Sequence, residues 1–234
     1  MTRLTLVLLI DAMARHYVRH TAFVRRLMAE GRSAALREDL GFLPRGSYFG
    51  GQTPSEIRFT NLYSCDRAAS PFSVAARMPR GFEYPVEEAL GARRWVEHQA
   101  KTRLPAYAAS YLWTHHVPMA LLPWFDVVEK YAPYDRRVGY RSVFHELDDR
   151  GLRFHYSAWP DTNRLANHSD RAIVDHVLAS IEQGGAGCRL AVVHLQELDG
   201  IGHAFGPQSA EILAALATTD ALVDTLVTTL RRRF

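Results

Sequence analysis

Apolar residues in this chain form two kinds of pattern, short continuous runs and runs with helical spacing. The mostly apolar run at 4–10 and the apolar run at 190–193, within a strand expected at about 189–194, predict buried strands. Apolar positions recur every three or four residues at 13–30, 169–183 and 208–232, which predicts helices. Strands that alternate with helices indicate an α/β fold with a mostly parallel central sheet.

The pattern is weaker between residues 70 and 140. Seven prolines interrupt this segment, aromatic residues are dense, and helices are predicted only at about 87–101 and 119–130. The adjacent pair His115 and His116 could suggest a metal site. Neighbouring side chains diverge on a strand or a helix, so one ion cannot easily use both, and we interpret the pair as structural.

Candidate chemistry lies at the ends of the two predicted strands. Asp11 ends the first strand, and Asp199 and His203 follow the second in what we expect to be a Gly-rich loop. Carboxylate oxygens and imidazole nitrogens can bind one divalent cation together, since glycines let such a loop fold back. A polar turn with a solvated Asp is the alternative. We interpret His194, within the second strand, as a core histidine.

A candidate nucleophile lies at a predicted helix start. Thr53 and Glu56 have the spacing of a capping box, and Pro54 suits the first helical position. Thr53 is therefore best explained as the helix cap. Ser55 falls in the first turn, where free N–H groups and the helix dipole favour an alkoxide and a phosphoryl group. An ordinary first-turn serine is the alternative.

Charge and cysteine content narrow the function classes. The chain has 28 basic and 25 acidic residues and a net charge of +3, a balance that argues against a nucleic-acid polymer as partner. The two cysteines form no C-x-x-C pair, which favours a reducing, cytoplasmic compartment. Since no run of about 20 consecutive apolar residues is present, we expect no membrane partner.

These motifs resemble the alkaline phosphatase superfamily, and within it the type I phosphodiesterase/nucleotide pyrophosphatase group. The stretch from Asp199 to Pro207 matches the D-x-x-G-H-x-x-G-P motif of that group. The resemblance implies an α/β/α sandwich with helices on both faces and a cap or insert at about 70–140. It also implies a hydrolase of phosphodiester or pyrophosphate bonds in small, nucleotide-type substrates.

The resemblance assigns roles to individual residues. Ser55 would be the nucleophile and would bind one metal ion with Asp11, while Asp199 and His203 would bind a second. The two ions would be zinc, with manganese as second choice. The family's Asp-His-Gly segment and a later metal-binding histidine do not follow His203. We therefore expect a single domain over 1–234 that is incomplete at its C-terminus, binds zinc weakly and tends to self-associate.

Two alternatives to a phosphodiesterase stay open. One is a non-catalytic or truncated relative that keeps the fold without holding both metals. The other is a different enzyme of the superfamily, namely a phosphomonoesterase, a phosphonate hydrolase or a sulfatase. Sulfatases usually carry a C/S-x-P-x-R segment, which the chain lacks at Ser55.

Overall fold

The computed structural model of the chain divides into two compact units. The first unit combines residues 1–36 with 150–234, and the second spans residues 37–149. Within them, the structure describes residues 3–34, 45–53, 56, 63–77, 91–112, 114, 117–184 and 187–234. The segment 70–140, predicted from the sequence as a cap or insert, falls within the second unit.

The described elements alternate between strands and helices in the first unit. The strands are β1 (Thr5–Ile10), β2 (Tyr63–Cys65), β3 (Phe125–Val127), β4 (Arg153–Ser157) and β5 (Cys188–Leu195). The helices are α1 (Ala22–Glu30), α2 (Arg45–Gly50), α3 (Ala92–Lys101), α4 (Ala106–Ala109), α5 (Val143–Asp149), α6 (Asp170–Gly184), α7 (Glu197–Phe205) and α8 (Ala210–Arg233). The helix predicted over 13–30 is a 3-10 helix, Arg15–His20, followed by α1.

The sheet of the first unit is parallel throughout. Its order is β1–β5–β4, so β5 lies between the other two strands. Leu9 pairs with His194 across β1 and β5, and Ser157 pairs with Val193 across β4 and β5. The carboxyl ends of all three strands therefore lie at one edge of the sheet, which is where open α/β folds place their sites. The predicted α/β class with a parallel sheet is confirmed.

One face of this sheet packs against α1, α6 and α8. Alternate residues of β5 point into this core, and Ala191, Val193 and Leu195 are all fully buried. Because side chains alternate along a strand, His194 points to the opposite face. The side chains of β1 alternate in the same way, and Leu8 and Ile10 pack against the helical core. Asp11 therefore projects to the same face as His194.

Helix α8 is the longest helix among the described residues. By length and mean hydropathy alone it could span a membrane, and 39% of its most apolar 18-residue stretch is buried within the protein. Its inward residues Leu222, Leu226 and Leu230 belong to the core beneath the sheet. The core helix of a globular unit meets the same length and hydropathy criteria.

The second unit contains a two-stranded antiparallel sheet of β2 and β3. The prediction of a helix over 119–130 is wrong, because the chain there forms a short 3-10 helix, Leu122–Trp124, and then β3. Pro123 and the β-favouring Phe125 and Val127 account for the difference. The helix predicted over 87–101 is confirmed for its described part, α3.

Candidate active site at the carboxyl edge of the sheet

Asp11 lies where β1 ends and the chain turns sharply. Its backbone N–H donates to the carbonyl of Leu195 at 2.9 Å, which continues the ladder between β1 and β5 by one residue. The N–H of Ala12 then donates to Asp11 Oδ1 at 3.0 Å. Ala12 has a φ of 55°, a left-handed conformation that is uncommon for a residue with a Cβ. Backbone strain of this kind concentrates at functional sites.

His194 lies beside Asp11. Its Nε2 atom lies 3.5 Å from Asp11 Oδ2, and 18% of its side chain is exposed. The neighbouring His194 ring lowers the pKa of the Asp11 carboxyl, and the charge of His203 lowers it further. The interpretation of His194 as a core histidine stays a prediction, since its ring is mostly buried but lies beside a carboxylate. The sequence alone does not show this neighbour, because the face to which His194 points depends on the strand register.

Asp199 and His203 lie on α7, and the prediction of a Gly-rich loop for these residues is wrong. The chain enters the helix directly after β5, with Gly200 and Gly202 inside it, and the helix ends at Gly206 with a φ of 90°. The four-residue spacing places Asp199 and His203 on one face of α7. Asp199 Oδ1 and His203 Nε2 are 3.5 Å apart, with 40% and 82% of their side chains exposed.

A shallow cleft of about 290 Å³ runs beside the second pair. Both Asp199 and His203 line it, together with Ala12, His16 and Tyr17. The Tyr17 hydroxyl donates to the carbonyl of Pro207, which ties the segment after α7 to the turn region that follows Asp11. The cleft therefore connects the end of β1 with the helix that carries the second pair.

Asp170 fixes the start of α7 and was missed by the sequence reasoning. Although it begins α6, its carboxylate accepts hydrogen bonds from the backbone N–H groups of Gln196 at 2.7 Å and Glu197 at 3.3 Å. The side chain is almost fully buried, and this burial raises its pKa. In the sequence, Asp170 is indistinguishable from an ordinary first-turn carboxylate, because its partners are 26 and 27 residues away.

The predicted nucleophile Ser55 lies outside the described residues, as do Pro54, His115 and His116. The capping interaction predicted beside Ser55 is present in part. Glu56 Oε2 accepts from the backbone N–H of Thr53 at 2.7 Å and from the Thr53 hydroxyl at 2.8 Å. These two hydrogen bonds lower the pKa of the Glu56 carboxyl.

The side chains of the two pairs are of the types that bind a divalent cation, but each pair has fewer of them than a metal site usually needs. Each of the two pairs offers one carboxylate and one imidazole, which suit zinc and similar metals. Among the described residues, no three or more histidine, cysteine, aspartate or glutamate side chains form a ready metal group. Each pair by itself would therefore supply two of the three protein ligands that catalytic zinc sites usually keep.

Comparison with known protein families decides the affiliation of the chain. Residues 5–234 match the type I phosphodiesterase / nucleotide pyrophosphatase family. The chain belongs to that family. As a type I phosphodiesterase family member it also belongs to the alkaline phosphatase superfamily, which agrees with its parallel sheet. A search of curated proteins finds no match.

Family membership supports a hydrolase of the phosphodiesterase or pyrophosphatase type in general. Members of the family generally depend on divalent metal ions. Both statements agree with the position of the two carboxylate–imidazole pairs, which lie where the parallel strands of the phosphodiesterase fold end.

Proposed function

We propose that this family member hydrolyses phosphodiester or pyrophosphate bonds in small nucleotide-type substrates, with Ser55 as nucleophile and two divalent metal ions, zinc before manganese. The observation that carries the proposal is the presence of two Asp–His pairs at the carboxyl edge of the sheet. Asp11 and His194 form one pair, and Asp199 and His203 form the other. The family match supplies the class of reaction.

Ser55 and the two aspartates would have different roles in the proposed hydrolysis. Two bound cations would neutralise charge on the phosphoryl group and lower the pKa of the nucleophilic hydroxyl and of water. Ser55 Oγ attacks phosphorus, and the bond to the leaving oxygen breaks, so that the leaving alcohol or phosphate departs with a proton from solvent. Water then attacks the same phosphorus, the bond between Ser55 Oγ and phosphorus breaks, and a phosphate monoester leaves while a proton from the water returns to Ser55 Oγ. The carboxylates of Asp11 and Asp199 would each hold one of the two cations.

The experiment that tests this proposal measures turnover of bis(4-nitrophenyl) phosphate by the chain with added zinc or manganese. We expect Ser55→Ala to abolish turnover while the circular dichroism spectrum stays unchanged. The neighbouring Thr53→Ala is the matched control, because it removes a hydroxyl from the cap rather than the nucleophile. Equal turnover by Ser55→Ala and the unaltered chain would reject Ser55, and loss only in Thr53→Ala would move the nucleophile there.

A non-catalytic relative is the second candidate function. Its support is that no group of three metal-binding side chains occurs among the described residues. Absence of turnover in the experiment above, together with absence of zinc binding in equilibrium dialysis, would favour it. Faster hydrolysis of 4-nitrophenyl phosphate or 4-nitrophenyl sulfate than of the diester would instead indicate a phosphomonoesterase or a sulfatase.

A further inference from the structure

The contact between Asp11 and His194 is too long for a strong ion pair. Its N–O distance is 3.5 Å. Charge-assisted hydrogen bonds between imidazolium and carboxylate are usually about 2.7–2.9 Å long. Both side chains come from adjacent, hydrogen-bonded strands, so their separation is set largely by the register of β1 and β5. The strands thus hold the two groups close together, at a distance that permits only a weak hydrogen bond.

The same separation suits two ligands of one metal ion. Zinc binds nitrogen and oxygen ligands at about 2.0–2.2 Å, and at a tetrahedral angle two such atoms lie about 3.4 Å apart. Asp199 and His203, which the proposed function assigns to a metal ion, show the same 3.5 Å separation. The two pairs are therefore alike in donor type and in spacing, although one is carried by strands and the other by a helix.

We propose that His194 is a metal ligand that binds the first cation together with Asp11, an inference that rests on the two-metal hydrolase proposed above. The motif D-x-x-G-H-x-x-G-P does not include this histidine, which precedes it in β5. His194 points away from the helical core beneath the sheet, and the adjacent Asp11 carboxylate is 45% exposed, so a cation can reach the pair from solvent.

A ligand role differs from a packing role in a measurable way. If both residues bind one ion, losing either removes the same site, and losing both removes nothing more. If the two residues acted independently, the effects of the two substitutions on metal binding would instead add. Replacing partners that only orient a ligand typically weakens metal binding by about 10–100-fold, so loss of His194 as a ligand should exceed about 100-fold at that site.

The experiment measures zinc bound per chain after equilibrium dialysis, with zinc alone as the probe. We expect two zinc ions in the unaltered chain, and one in His194→Gln, in Asp11→Asn and in the double variant. His98→Gln is the matched control, since it makes the same change at an exposed histidine in the second unit and should keep both ions. Circular dichroism establishes that each variant is folded.

His194→Cys supplies a readout that does not depend on loss of binding. With cobalt(II) in place of zinc, a sulfur ligand at this position should add a near-ultraviolet charge-transfer band, relative to the unaltered chain with its two free cysteines. No added band, or His194→Gln holding two zinc ions with unchanged affinity while Asp11→Asn loses one, would overturn the inference and leave the proposed function standing. No zinc in the unaltered chain would overturn both.

Discussion

The two Asp–His pairs use the same groups at the same spacing on very different supports. Asp11 and His194 stand on adjacent strands whose backbones are hydrogen-bonded to one another. Asp199 and His203 stand one turn apart on a nine-residue helix. His194 is 18% exposed and His203 is 82% exposed. The strand-borne pair is therefore held by the core of the first unit, whereas the helix-borne pair depends on how α7 itself is fixed.

This difference predicts which substitutions would disturb the geometry of each pair. Helix α7 is fixed on its inner face by Leu198 and Ile201, which pack with residues of α8. At its N-terminus it is fixed by the Asp170 carboxylate. Helix N-termini leave N–H groups without intrahelical partners, and a capping carboxylate both satisfies them and complements the helix dipole. A change at Asp170 should therefore affect the helix-borne pair first.

Removing this cap is the largest effect that we expect. Asp170→Ala leaves the part-buried N–H groups of Gln196 and Glu197 without their acceptor, which should lower the free energy of unfolding by about 2 to 3 kcal/mol. It should also weaken zinc binding by Asp199 and His203 more than by Asp11 and His194. Urea unfolding and zinc titration of the variant measure the two effects.

The control for this change lies on the same helix. Asp175 is an exposed residue of α6, so Asp175→Ala should change the free energy of unfolding by less than about 0.5 kcal/mol. Equal losses in the two variants would contradict the capping role. Equal weakening at both metal pairs in Asp170→Ala would show instead that α7 is not held independently of the strands.

Sequence patterns were sufficient for the parts of the site that depend on local periodicity. The apolar runs located β1 and β5, and hence the strand-end position of Asp11. They failed where the outcome depends on distant partners. His194 looks like any other strand residue until its register with Leu9 is known. Gly200 and Gly202 between Asp199 and His203 suggested a loop, yet packing of Leu198 overrode their low helix propensity.

A third histidine differs from His194 and His203, whose rings each lie beside an aspartate carboxylate. His155 of β4 lies on the opposite face of the sheet from His194, near His176, and its buried Nε2 has no hydrogen-bond partner among the described residues. Burial, and then the charge of His176, lower the pKa of His155 from 6.5 to about 4. The folded protein therefore resists protonation of this ring.

The consequence is a loss of stability in mild acid. The unfolded chain binds a proton at His155 between pH 6.5 and about 4 while the folded chain does not, so stability is complete above pH 6.5 and falls as the pH drops towards 4. We expect a loss of about 2 kcal/mol, after allowance for partial exposure, that is absent in His155→Leu. Unfolding measured at several pH values gives the slope, and His168→Leu, at an exposed position, should keep it. An unchanged slope in His155→Leu would refute this assignment.

The smallest expected effect concerns the relative zinc affinity of the two pairs. His203 is mostly exposed and must lose side-chain freedom when it binds a cation, whereas His194 is already ordered within its strand. An entropy difference of about 1 kcal/mol would make the strand-borne pair several-fold tighter, up to about tenfold. Titration of His203→Gln reports the affinity of Asp11 with His194, and His194→Gln reports that of Asp199 with His203. Equal affinities would mean that zinc binding does not depend on whether strands or a helix carry the pair. A higher affinity of the helix-borne pair would mean that its greater access to solvent outweighs the preorganisation of His194.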